Sequence, residues 1–169
     1  MLTASEVKKI LNYDSDSGIF TWILPASKSI KPGRVAGSIS SNGYLRIKIN
    51  GKSYPAHRIA WLLVHNTFPD TEIDHINGEK LDNRITNLRI ASRLQNNRNV
   101  IKRKDNTSGF KGVSWQLPNK KWVARISVNR KRLTIGFFDS KEEAAEAYKQ
   151  ASIKYHGEFS PFKTGTDPR

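Results

Sequence analysis

Cysteine is absent from the 169 residues, which excludes disulfide scaffolds, thiolate zinc sites and cysteine nucleophiles. Any metal must be held by His, Asn and carboxylates. Acidic residues are scarce: 15 Asp and Glu stand against 29 Lys and Arg, a formal net charge of +14. Long apolar runs are missing as well. The longest, Ile59 to Val64, ends at His65-Asn66, far short of the roughly 18 residues a membrane span needs. The first residues, Met1-Leu2-Thr3-Ala4-Ser5-Glu6, lack a basic region followed by an apolar stretch, so no secretory signal is expected and the chain should stay where it is made. What is present suffices for a packed core: 37% of the residues are hydrophobic, including four Trp, five Tyr and seven Phe. The length fits one sizeable domain or two small ones.

The positive charge is spread over the chain, with net +6 up to residue 100 and +8 beyond it. It is densest between Ile101 and Ile135, where ten basic residues face one acid, Asp105. A polyanion is the partner this implies, and nucleic acid fits better than a membrane surface.

Thr3 with Glu6 has the form of a capping box, and Val7, Ile10 and Leu11 share one face, so a helix is expected over 3–12. Asp14 to Gly18 is turn chemistry before a short strand, Ile19 to Trp22, and 26–37 reads as a basic loop. Tyr44 to Ile49 alternates apolar and polar residues and meets Asn50-Gly51 and a second strand from Lys52 to about Ala56, the pattern of a type I′ hairpin. Leu45, Ile47 and Ile49 should face the core; Arg46 and Lys48 should face water or a phosphate backbone. A helix is expected over 57–66, and another over 91–99. Residues 101–108 form a polar, basic linker in which Lys102, Arg103 and Lys104 suit phosphate contact as well as solvation. Three strand-like runs, 109–116, 122–129 and 132–138, precede a helix over 140–156, capped by Ser140 with Glu143 and stopped at Gly157. Ala144, Ala147, Tyr148, Ala151 and Tyr155 line one face of it.

Between 72 and 99 the chain is dense in groups that hold metals or move protons. Asp74 offers oxygen to a hard divalent cation, and neutral His75 can take a proton from water. An isolated Asp-His pair on a surface turn, with a solvated imidazole, is the alternative. The pair is accompanied by Asn77-Gly78, Asp82-Asn83-Arg84, Asn87-Leu88-Arg89 and Asn96, with His57-Arg58 and an apolar helix before it. Together these resemble the HNH nuclease motif of phage homing endonucleases, over roughly residues 10 to 100. The resemblance implies a ββα-metal fold around one divalent cation, Mg²⁺ or Mn²⁺. It makes His75 the general base, Asp74 and Asn96 the metal ligands, and Asn87 the brace that orients His75. Asn99, one helical turn on, is the other possible ligand. Asp82, Asn83 and Arg84 brace the loop or face phosphate. Many members carry His where this chain has Asn96, which favours a hard ion over zinc.

The C-terminal stretch shows Phe110-Lys-Gly-Val-Ser-Trp115, Trp122-Val-Ala-Arg-Ile126, Ile135-Gly-Phe-Phe-Asp139 and an Ala-rich helix. It resembles the plant ethylene-response-factor (APETALA-type) DNA-binding domain, which implies a three-stranded antiparallel sheet in the major groove with a helix behind. Alternation independently puts Trp122, Ala124, Ile126 and Val128 toward the helix and Val123, Arg125, Ser127 and Asn129 away from it. On the last strand Leu133 and Ile135 should face in, Arg132 and Thr134 out. Lys111 and Arg132 keep cationic character at the family's contact positions. Ser114, Arg125, Ser127 and Thr134 replace residues usual in plants, so the plant target does not transfer. Trp115 suits either the core edge or DNA.

The sequence therefore reads as an α+β protein. A ββα-metal nuclease domain (1–100) is joined by the linker (101–108) to a sheet-and-helix DNA reader (109–163), followed by a tail (164–169). The expected activity is metal-dependent hydrolysis of double-stranded DNA by a monomer in the cytoplasm of a bacterial host, with no membrane and no small-molecule cofactor. DNA contacts are expected from Arg46, Lys48, Lys111, Ser114, Arg125, Ser127, Arg130, Arg132 and Thr134. Nicking is favoured over double-strand cleavage, since one HNH unit is present. The rival is a DNA-binding regulator with a vestigial nuclease site. An RNA-binding role is disfavoured by the expected lack of exposed aromatics on the sheet.

Overall fold

The computed structural model describes residues 2–25, 30–99 and 106–162. These form two compact units, Met1–Arg93 and Leu94–Arg169.

In the first unit Thr3 opens helix α1 (Ala4–Ile10) with a reciprocal cap: its hydroxyl accepts the Glu6 N–H, and the Glu6 carboxylate accepts the Thr3 N–H at 2.8 Å. The helix ends earlier than its apolar spacing predicts. Leu11 leaves helical geometry and starts β1 (Leu11–Tyr13), which pairs antiparallel with β2 (Phe20–Trp22), Leu11 opposite Trp22. Leu11 reaches the core from a strand, where it packs with Phe20 and Val7, all essentially buried. Each such side chain contributes roughly 1.5–3 kcal/mol. The expected basic loop lies partly outside the described residues, at 26–29; farther along it, Arg34 and Ala36 exchange backbone hydrogen bonds with β2.

A second sheet runs β3 (Ser38–Ile39), β4 (Leu45–Ile49), β5 (Lys52–Pro55). Asn50 and Gly51 take φ of 48° and 79°, the two positive values a type I′ turn requires. Ile47 and Ile49 are buried, Leu45 is half-buried and Lys48 is exposed, as the alternation predicts. Helix α2 (Ala56–His65) follows, burying Ile59, Ala60, Leu62 and Leu63, and is stopped by Asn66 in the left-handed region. A two-stranded ladder, β6 (Glu72–His75) and β7 (Leu88–Ala91), completes the unit. Ala91, expected to begin the next helix, instead pairs with Glu72, and helix α3 spans Arg93–Asn99.

The second unit is a three-stranded antiparallel sheet, ordered β10 (Lys131–Phe138), β9 (Lys121–Val128), β8 (Val113–Gln116), with helix α4 (Lys141–His156) on one face. The Ser140 hydroxyl accepts the Glu143 N–H, and Gly157 ends the helix. Val113, Ala124, Ile126, Ala144, Tyr148 and Ala151 form the core, with Trp122, Val128, Ile135 and Phe138 packed against it. Gly112 lets β8 approach the helix: a Cβ there would collide with the Tyr148 ring and the Arg125 carbonyl.

Two expectations fail here. Tyr155 is 44% exposed, and Ser152 and His156 fill the buried end of the helix face in its place. A β-bulge between Thr134 and Gly136 makes Ile135 the extra residue, so Phe138 turns inward opposite Trp122 and Phe137 turns outward opposite Val123. Phe137 is 48% exposed, so the outer face does carry an exposed aromatic. Leu133 lies on the helix side, opposite Ile126, yet stays exposed.

Candidate active site

Residues directly opposite in an antiparallel ladder share a face, and the β6–β7 register puts Asp74 opposite Arg89 and His75 opposite Leu88. Asp74 is 3% exposed, and its Oδ2 accepts from Arg89 Nε at 2.9 Å and Nη2 at 2.6 Å. His75 is 4% exposed, which rules out the solvated turn. Its Nε2 lies 3.4 Å from Asn83 Oδ1, while Asn83 Nδ2 donates to the Leu81 carbonyl at 3.1 Å. That second bond fixes the amide so that its oxygen faces the imidazole; Nε2 then carries the proton and Nδ1 is the basic nitrogen.

Two further rings lie near His75. His57 meets it edge-on with ring centroids 5.1 Å apart, and Tyr44 lies 5.9 Å away. Burial lowers the His75 imidazole below its ordinary value, opposed by the Asn83 hydrogen bond and the Asp74 and Asp82 charges. Burial pushes His57 further, down to about 3, and its Nδ1 is buried without a hydrogen-bond partner among the described residues.

The loop from β6 to β7 is held by Asn87. Its Oδ1 accepts the Asn77 N–H at 3.0 Å, its Nδ2 donates to the Asp82 carbonyl at 2.8 Å, and its own carbonyl accepts the Ile76 N–H. Asp82 braces the same loop, accepting from Asn77 Nδ2 at 2.8 Å and from Arg84 Nε and Nη2 at 2.8 and 2.6 Å. Those bonds, Arg84 foremost, hold its carboxyl down at about 2. The loop is pinned from behind as well: the Tyr13 hydroxyl donates to the Asn83 carbonyl at 2.7 Å, and Ile85 N–H donates to Ser15.

Residues 54–98 match the family described as HNH endonuclease, and residues 108–158 match the AP2 domain. Protein 3.8 of Escherichia phage T7 is 34% identical over 91 residues, covering 54% of this chain and 74% of that protein. The chain belongs to the HNH endonuclease family. Its AP2 segment is 49% identical over 49 residues to an AP2/ERF and B3 domain-containing transcription factor of Arabidopsis thaliana, covering 29% of this chain and only 14% of that protein. A solved structure of the HNH homing endonuclease I-HmuI aligns at 22% identity over 81% of this chain and 76% of that one, with a TM-score of 0.41.

In this member of the HNH family Asp74 and His75 stand at the end of β6 and Asn87 in the loop just before β7. Asn96 is half-buried and Asn99 buried, both on α3, which groups with the second unit. Arg46 lies along its own hairpin, donating to Ser53 Oγ and carbonyl at 2.9 and 2.7 Å, while Lys48 stands in solvent. On the AP2 sheet the register brings Ser114, Arg125, Ser127, Arg132 and Thr134 to the outer face, with Arg132 opposite Ser127 and Thr134 opposite Arg125. Arg130 sits at the β9–β10 hairpin tip with φ 65°. Lys111 lines one cavity with Arg125, Ser127, Arg130 and Arg132; its Nζ donates to the Arg98 carbonyl at 2.6 Å, and burial lowers it to about 8. Lys102, Arg103 and Lys104 lie outside the described residues, as does the 164–169 tail.

The sequence assigns Asn83 only to bracing the loop or facing phosphate, names Arg89 and His57 within the motif without a role, and does not place Tyr44 at the site. Arg89 is 15 residues from Asp74, and only the strand register, which the motif spacing does not reveal, makes them neighbours.

Proposed function

We propose that the protein is a metal-dependent DNA endonuclease of the phage homing type, hydrolysing phosphodiester bonds at a site read partly by the C-terminal sheet. The supporting observation is the buried His75 imidazole, held at Nε2 by Asn83 on a loop stapled by Asn87. An imidazole kept from its charged form by burial is suited to take a proton from water at neutral pH. Nδ1 removes the proton as the water oxygen bonds to phosphorus and the opposite phosphorus–oxygen bond breaks. Asn87 is the positioning residue for this step.

The oxygen donors of Asp74 and Asn96 fit a hard divalent cation, Mg²⁺ or Mn²⁺, and no thiolate is available to select zinc. Such an ion, held by those two residues, would supply positive charge to the scissile phosphate and the leaving oxygen. Arg89 on Asp74 Oδ2 fixes which way the carboxylate faces.

The AP2 sheet supplies base and phosphate contacts through Ser114, Arg125, Ser127, Arg132 and Thr134, with Arg130 and Lys111 beside them and Arg46 and Lys48 on the nuclease hairpin. The nuclease role is assigned to 1–100 and the reading role to 109–163, joined by 101–108 and followed by the 164–169 tail. The likeness to a phage protein supports action in a bacterial host cell; a monomer that needs no small-molecule cofactor is part of the same proposal. The regulator with a vestigial site remains the second reading, favoured by one observation: the Asp74–Arg89 ion pair also serves the fold.

Supercoiled plasmid incubated with Mg²⁺, with Mn²⁺ and with a chelator separates the two. Metal-dependent conversion to nicked circles supports the endonuclease. DNA binding with no conversion under either metal supports the regulator.

A further inference from the structure

Within the second unit, β9 runs past the end of β8, and a cavity of about 530 Å³ opens there. Arg98, Lys111, Arg125, Arg130 and Arg132 line it together with His156, and no carboxylate is among its described lining residues. A concave surface with this many cations and no acid repels itself, a cost that an anion would remove.

His156 is the unusual member. It is 7% exposed, and its Nε2 lies 3.0 Å from the Ser127 carbonyl. A carbonyl only accepts, so Nε2 carries a proton, and in the neutral ring Nδ1 is a bare acceptor. That Nδ1 is buried and has no partner among the described residues. Among the described residues this acceptor has no donor; protonated, the ring adds a further positive charge to the wall of the cavity. From the geometry we infer that the cavity is a receptor for a phosphate group, held by Arg98 and Lys111 and completed when His156 takes up a proton at Nδ1.

The charged groups that line the cavity with His156 all act in one direction. Arg98 on α3, Lys111 before β8, and Arg125, Arg130 and Arg132 on β9, β10 and their hairpin are cations; Tyr148 on its own helix is neutral. Burial lowers the imidazole from its ordinary value, the Ser127 carbonyl opposes this, and the charges of Arg98 and Lys111 add to the lowering. A bound phosphate reverses the electrostatic part, so binding and proton uptake are linked. Affinity therefore rises as pH falls through the imidazole range.

The phosphate can come from the DNA backbone or from free phosphate. The backbone source rests on the DNA-reading role of the sheet; the receptor itself does not. Two arms tell them apart, both on the full chain. In the first, the His156 ring is followed by NMR against pH with and without inorganic phosphate. Phosphate should raise its titration midpoint by about one unit, and Arg98→Gln should abolish the rise. In the second, affinity for a duplex of random sequence is measured near pH 8 and near pH 5.5. Between the two pH values wild type should tighten by about tenfold more than His156→Gln. Should His156→Gln fail to fold, Arg98→Gln, weaker at both pH values, serves instead.

A midpoint moved by phosphate with no difference between the proteins on DNA assigns the receptor to free phosphate. No duplex binding by wild type removes the DNA-reading role, and a moved midpoint still upholds the receptor. A midpoint that phosphate leaves in place, with equal pH dependence in both proteins, overturns the inference.

Discussion

The Arg89 guanidinium closes on one oxygen of Asp74, both side chains largely buried between the two strands of the ladder. Removing one partner of such a pair leaves the other buried charge less well compensated, which costs more than the pair is worth. Arg89→Met should destabilise the first unit by roughly 3–5 kcal/mol, read as a lower urea midpoint. Asp74→Asn in the same chain should restore much of it, and strict additivity of the two changes would refute the coupling.

Asp82 makes the loop acid-sensitive. The fold lowers its carboxyl to about 2 from an ordinary 3.8, mainly through Arg84. The unfolded chain therefore takes up this proton first as pH falls. The Asp82 contribution is complete above about 3.8 and is lost between there and about 2. Asp82→Asn should flatten the fall of stability across that window, measured by thermal melts at successive pH values.

Gly18 has φ 74°, and a Cβ there would strike the backbone of Asn83 and Arg84. Gly18→Ala should cost roughly 1–3 kcal/mol and push Asn83 away from His75. Cleavage should fall more than duplex affinity does; equal losses in both would mean that the turn does not position the site.

Arg130 holds a positive φ with a full side chain at a hairpin tip, a strain of roughly 1 kcal/mol that glycine lacks. Arg130→Gly should raise the melting temperature of the AP2 unit. If the arginine meets a backbone phosphate, the salt slope of duplex binding falls by about one. An unchanged slope with weaker binding would point to a base contact instead.

What could be read in advance was local or strictly periodic. The Asn50-Gly51 hairpin, the α2 face, the three strands of the second unit and the capped helix behind them all follow from spacings of two, three or four residues. The failures share a cause. Leu11 leaves the helix because pairing with Trp22 buries it as a strand residue, and the Ile135 bulge reverses Phe137 and Phe138. Both depend on a partner distant in sequence. The candidate site divides in the same way: Asp74, His75 and Asn87 are the candidates the motif offers and Asn83 a brace it allows, whereas Arg89, His57 and Tyr44 join them only through register and packing.

The central claim is that His75 is the base of a hydrolytic site. The most direct measurement compares wild type with His75→Ala for plasmid cleavage in Mn²⁺ and for duplex affinity under the same conditions. Loss of a single base should lower the cleavage rate by at least about a hundredfold and leave affinity within about twofold. Cleavage by His75→Ala at the wild-type rate would contradict the account.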